Sequence, residues 1–180
     1  TASVFADMLI FDAIKNKINA QDKRSLYASK IEDIFSTLYR QINFTTFERL
    51  VHAHEGEVDI KTFNAYWMQE SQKMFGKSII LSPDYALWWS YIPHFIHSPF
   101  YCYAYSYGQL LVLALYGLYK RSNTQEFVKN YTAFLSAGGS QSPKDLVALF
   151  GFDIEDETFW ELGIMEIEAI LGEFKRMCDD

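Results

Sequence analysis

Residues that cross-link or interrupt a chain are scarce here: 180 residues hold 2 cysteines, 4 prolines and 9 glycines. The cysteines, Cys102 and Cys178, form no C-x-x-C pair, which excludes a disulfide framework and fits a reducing, cytoplasmic setting. Basic residues are also in the minority, with 16 Lys and Arg against 23 Asp and Glu and a net charge of −7. A nucleic-acid partner needs a basic footprint, so that class is excluded. The acidic excess gathers late in the chain, around Asp153, Glu155, Asp156 and Glu157. No basic segment and no small-residue cleavage pattern follows Thr1-Ala2-Ser3, so no signal peptide is read there. A first residue other than Met is expected of a fragment or a processed product.

Between Tyr85 and Tyr119 there is no Asp, Glu, Lys or Arg. An uncharged run of that length exceeds the ~20 residues of a membrane span. His94, His97, Ser98, Ser106 and Gln109 interrupt it, and Pro93 and Pro99 fall in its first half. A buried helix is therefore expected, and no membrane partner.

Apolar residues are abundant at 49%, and aromatics make up 17%, with 12 Tyr and 15 Phe. That is enough to build a core and to leave aromatic surface for contacts. The apolar spacing is helical almost throughout. Val4, Phe5, Met8, Leu9, Phe11 and Ile14 predict a helix over 3–19. A stripe of Leu26, Ile31, Ile34, Phe35, Leu38, Ile42, Phe47 and Leu50 predicts a long helix over 22–54, with Gly56 behind it. Asp59 caps a helix that runs to about Met74, followed by Gly76. Gly76, Pro83, Pro93 and Pro99 make 76–99 an irregular stretch with short turns. Helices at 100–120 and 124–136 follow, then Gly138-Gly139-Ser140, a short helix opened by Ser142-Pro143, and a last helix from Glu157 to Met177. Tyr101 to Tyr107 alternates like a strand, but it continues without a turn into Leu110–Tyr116, so length favours helix. On a helix Tyr101 and Tyr105 share one face, and Tyr103 and Tyr107 another. The chain reads as a single all-α domain over 1–180.

Three groups of residues could carry chemistry. His52 and His54 are two apart and point about 200° apart on a helix, so they cannot share a metal; a solvated helix end is the expected reading. Trp88 to Tyr105 combines His94 and His97 with a row of phenols where an irregular loop enters a helix. Such donors can converge on a developing oxyanion, or they can form an aromatic core whose hydroxyls find partners. Asp7 is an acid on the core-facing side of the first helix, between Phe5 and Met8, where burial requires a partner; a surface position is the alternative.

Several blocks together resemble one family. Thr1-Ala2-Ser3-Val4-Phe5-Ala6-Asp7-Met8-Leu9 is similar to the segment after the third zinc ligand of oligoendopeptidase F, a zinc metallopeptidase of the thimet-like M3 family. Arg40-Gln41-Ile42-Asn43-Phe44 with Phe47-Glu48 resembles a second block. Ile92-Pro93-His94-Phe95, Ser98-Pro99-Phe100-Tyr101 and Tyr107-Gly108-Gln109-Leu110 resemble a third. Ser136–Pro143 and Phe159-Trp160-Glu161-Leu162-Gly163 complete the series in the family's order.

The resemblance implies the multi-helix C-terminal part of a zincin-like M3 fold that hydrolyses internal bonds of short peptides with zinc. The H-E-x-x-H motif is not present, and the third ligand would immediately precede Thr1. No metal is therefore expected on this chain alone, and no catalysis; its partners would be short peptides and the remaining N-terminal part of the enzyme. His94 and Tyr105 take the oxyanion-stabilising role by resemblance, with Tyr101, Tyr103 and His97 binding substrate. Asp7 takes the place of an acid that orients a zinc-ligating histidine. An autonomous helical module that binds peptides or proteins without catalysis is the alternative.

Overall fold

Helical spacing of apolar residues dictates the architecture, and the computed structural model describes residues 1–122 and 124–179. In chain order the helices are α1 (Ala2–Ile14), α2 (Ala20–Ile34), α3 (Arg40–His52), α4 (Ile60–Phe75), α5 (His94–His97), α6 (Tyr103–Arg121), α7 (Thr124–Ala137), α8 (Pro143–Ala148) and α9 (Glu157–Asp179). A π-helical turn, Phe35–Tyr39, joins α2 to α3, and a 3-10 segment, Pro83–Tyr91, precedes α5. No strand occurs among the described residues, and the fold is all-α. No helix among them is long and apolar enough to cross a membrane. The uncharged stretch instead supplies the 3-10 segment, α5 and most of α6, where Val112, Leu113, Ala114 and Leu115 are fully buried.

Two boundaries and one phase differ from the spacing argument, each for a local reason. The first helix ends at Ile14, not near 19, because the Asn19 side chain is taken up at the start of α2. Its Oδ1 accepts from Asp22 N–H at 2.9 Å and its Nδ2 donates to Asp22 at 2.6 Å. The long second helix carries a π turn at Phe35–Tyr39, whose extra residue shifts which of the later positions face inward. Asn43 is consequently buried, and Ile42, which the stripe places inward, is exposed. The sixth helix starts at Tyr103, not Phe100, because Phe100 has a φ of 58°.

The chain forms two compact units, Ile34–Tyr107 and a second made of Thr1–Asp33 with Gly108–Asp180. The second unit packs α1, α6, α7 and α9 around aromatic rings. Phe5 lies 4.4 Å from the Tyr131 ring and 5.8 Å from that of Tyr116. Gly163 lets α9 approach α6 closely: a Cβ there would stand 2.8 Å from the Leu110 carbonyl oxygen. Buried Glu166 pairs with Lys120 and, at 3.4 Å, with Arg121.

The unit Ile34–Tyr107 is built on an aromatic cluster. Phe44 and Phe47 of α3 pack with Trp67 of α4, and Ile92 and Cys102 complete the buried set. Phe95 enters the same cluster, its ring 5.2 Å from Phe47 and 5.8 Å from Phe44. Trp89 Nε1 donates to Asn64 Oδ1 at 2.8 Å, which ties the 3-10 segment to α4. The Ser106 hydroxyl donates to the Leu38 carbonyl at 2.8 Å, fastening the first turns of α6 to the π turn.

Candidate active site

Buried neighbours aim two polar side chains at each other. Ile92 and Phe95 are drawn into the aromatic cluster, so His94 between them stands half-buried at the rim. Cys102 and Ser106, one helical turn apart, face inward, and Tyr101, Tyr103 and Tyr105 therefore face outward. His94 Nε2 lies 3.1 Å from the Tyr105 hydroxyl oxygen, and the two rings meet edge to face at 86°. Tyr101 extends the group, its ring 5.4 Å from that of Tyr105 at 85°.

The protonation of His94 decides what the pair can do. With Nε2 unprotonated, the phenol donates its proton to the imidazole. With Nε2 carrying the proton, the imidazole donates to the phenol oxygen, and the phenol O–H is free for a third atom. The second arrangement polarises the phenol, because an oxygen that accepts a hydrogen bond becomes a better donor.

The other sequence-predicted residues are placed as follows. Tyr103 is exposed on the first turn of α6, and His97 is exposed at the end of α5. Neither shares the His94–Tyr105 contact. Asp7 is exposed, which corrects the core-facing position. Phe5, Met8 and Phe11 are the buried residues of α1, and a side chain two positions after Phe5 points away from that face. Cys102 is a core thiol and no nucleophile: burial, with a contribution from the Glu48 charge, pushes its pKa up to about 11. Sequence reasoning assigns no role to Glu48, although an acid one helical turn after Phe44, on the face that Phe44 and Phe47 bury, is the signal that marks it. It is buried and accepts from the Phe100 N–H at 2.8 Å.

The described residues do not form a zinc site. No group of three or more His, Cys, Asp and Glu among those described could hold a metal ion. His52 and His54 diverge, the first with its ring 4.7 Å from Phe100 and the second with Nδ1 2.8 Å from the Tyr66 hydroxyl.

The fold is that of part of an oligoendopeptidase. The crystal structure of oligoendopeptidase-F from Enterococcus faecium superposes with a TM-score of 0.89 at 22% identity, over 99% of this chain and 34% of that one. The sequence profile of peptidase family M3 matches residues 1–166, and the chain belongs to that family. It is 31% identical to an oligoendopeptidase F homolog of Borreliella burgdorferi over 98% of this chain and 30% of that protein. It is 29% identical to oligopeptidase PepF of Bacillus subtilis over 98% of this chain and 27% of that protein. The chain thus spans about 30% of the length of these curated relatives.

Proposed function

We propose that this chain supplies the substrate-binding and oxyanion-stabilising part of a zinc-dependent oligopeptidase that cleaves internal bonds of short peptides. The observation that carries this reading is the contact of His94 Nε2 with the Tyr105 hydroxyl, on a chain that belongs to family M3. When water adds to the scissile carbonyl carbon, the C=O π pair moves onto the oxygen. The Tyr105 O–H donates to that oxygen, while the His94 Nε2–H donates to Tyr105. Donors held in place before the charge develops need no reorganisation as it forms. Exposed Tyr101, whose ring meets that of Tyr105, and exposed Tyr103 and His97, near the pair in the chain, offer ring edges and donors to a peptide backbone. Asp7, exposed on α1, is available to orient a histidine that this chain does not contain.

Zinc, held by residues outside this chain, would supply the Lewis-acid part of the chemistry. The test is to assay zinc binding and cleavage of a fluorogenic short peptide, first with this chain alone. The assay is then repeated with the chain joined to the remaining part of an M3 fold. Binding and turnover are expected only in the joined protein. Zinc-dependent turnover by the 180-residue chain alone would overturn the reading.

A further inference from the structure

Phe100, between α5 and α6, has a φ of 58°, a conformation that the side chain of an L residue opposes and that glycine takes freely. It lies between His94 and Tyr105 in the chain, so its geometry decides where α6 begins and how Tyr105 meets the imidazole. The backbone bonds beside it are local: Tyr101 N–H to the Ser98 carbonyl at 3.2 Å and Ala104 N–H to the Tyr101 carbonyl at 2.9 Å. These shape the turns without anchoring them to the rest of the unit.

The anchor comes from the last turns of α3. Glu48 Oε1 accepts from the Phe100 N–H at 2.8 Å, across 52 positions of sequence. His52, on the same face one helical turn later, lays its ring 4.7 Å from the Phe100 ring. Glu48 is only 3% exposed, and its Oε2 is buried without a hydrogen-bond partner. Loss of hydration opposes a carboxyl group in that position, so core packing does not account for an acid there. The bond to a strained backbone N–H does.

We propose that Glu48 is a positioning residue: by accepting from the Phe100 N–H, it holds the bend between α5 and α6 and so sets Tyr105 on His94. Its consequence for catalysis rests on the donor role proposed above for His94 and Tyr105; its geometry does not.

Two measurements test this. Amide exchange and ring-to-ring NOEs are recorded on the 180-residue chain, and turnover is measured on the joined peptidase. In the chain the Phe100 amide is expected to exchange about 100-fold more slowly than an unprotected one. Glu48→Ala is expected to abolish that protection and weaken the His94–Tyr105 NOEs, while Glu48→Gln, whose amide oxygen also accepts, restores both. In the peptidase Glu48→Ala is expected to lower kcat by about tenfold or more with little change in KM, and to add no further loss to Tyr105→Phe.

Equal Phe100 exchange in Glu48→Ala and the parent overturns the proposal, as do kcat losses that multiply. If Glu48→Ala does not fold, Phe100→Gly decides. It keeps the N–H and removes the steric opposition, so the His94–Tyr105 NOEs must persist. Their loss would show that the Phe100 ring, not the Glu48 bond, holds the bend. If Tyr105→Phe leaves kcat unchanged, the donor reading fails, and the exchange data still judge Glu48.

Discussion

His94 and Tyr105 touch through a single polar contact, Nε2 to hydroxyl oxygen at 3.1 Å, although each belongs to a different helix. Neither side chain is buried enough to be held by its own packing. Their neighbours hold them: Phe95 in the aromatic cluster on one side, Ser106 on the Leu38 carbonyl on the other.

Ser106→Ala is expected to lower stability by about 1–3 kcal/mol, because it leaves a buried carbonyl without that donor. It should also loosen Tyr105, one residue away. Urea unfolding and the His94–Tyr105 NOEs check both effects. Unchanged stability would show that the bond to Leu38 contributes nothing net.

Two glycines of α9 should respond oppositely to alanine. At Gly163 a Cβ would meet the Leu110 carbonyl oxygen and Cδ1, each at 2.8 Å, and the Ala114 nitrogen at 3.2 Å. Backbone cannot move aside as a flexible side-chain tip can, so Gly163→Ala is expected to destabilise by about 1–3 kcal/mol or more. At Gly172 nothing lies within 4 Å. There Gly172→Ala is expected to stabilise the helix by roughly 0.5–1 kcal/mol. Thermal unfolding of both variants checks the pair; equal shifts would contradict the close approach of α9 to α6.

Acid sensitivity should trace in part to Asp12. Burial opposes its charge, but hydrogen bonds from Lys15 at 2.5 Å and from Tyr116, with the charges of Lys15 and Lys120, outweigh that opposition. Its pKa falls below the ordinary 3.8. A carboxyl group more acidic folded than unfolded stabilises the fold fully above its unfolded pKa. That contribution disappears as pH falls through the lower, folded value. Tyr116 is shifted the other way: burial, then the Asp12 hydrogen bond and charge, push its phenol far above 10.0. Stabilisation by the neutral phenol is complete below its unfolded pKa and is lost as pH rises through the folded one. Tyr116→Phe should move the Asp12 pKa upward. A carboxyl-carbon NMR titration reads this directly, and an unmoved pKa would remove Tyr116 from the account.

Much of this arrangement is legible in the sequence because it follows from period alone. The helices around Phe5, Met8 and Phe11, around Trp67, and around Leu111 to Leu115 need only apolar spacing and a cap such as Asp59, whose carboxylate accepts from Thr62 N–H at 2.8 Å. Tyr101 and Tyr105 do meet, but not through the helical spacing of four: Tyr101 precedes α6, which starts at Tyr103. What escapes period is phase. The π turn over Phe35–Tyr39 has no sequence signature and turns Ile42 outward and Asn43 inward. Asp7 lies between two buried residues and still faces solvent, because adjacency along a helix is not a shared face. Phe100 is the hardest case. The N–H of this positive-φ phenylalanine meets its side-chain partner 52 positions away, and nothing local announces it.

The donor role of His94 and Tyr105 is the central claim, and steady-state kinetics test it most directly. In a peptidase that carries this chain joined to the remaining part of the M3 fold, kcat is measured for His94→Phe and for Tyr105→Phe. Loss of one oxyanion donor typically reduces turnover by about 10²–10³, and that reduction is expected of each variant. A near-normal kcat in both would contradict the account.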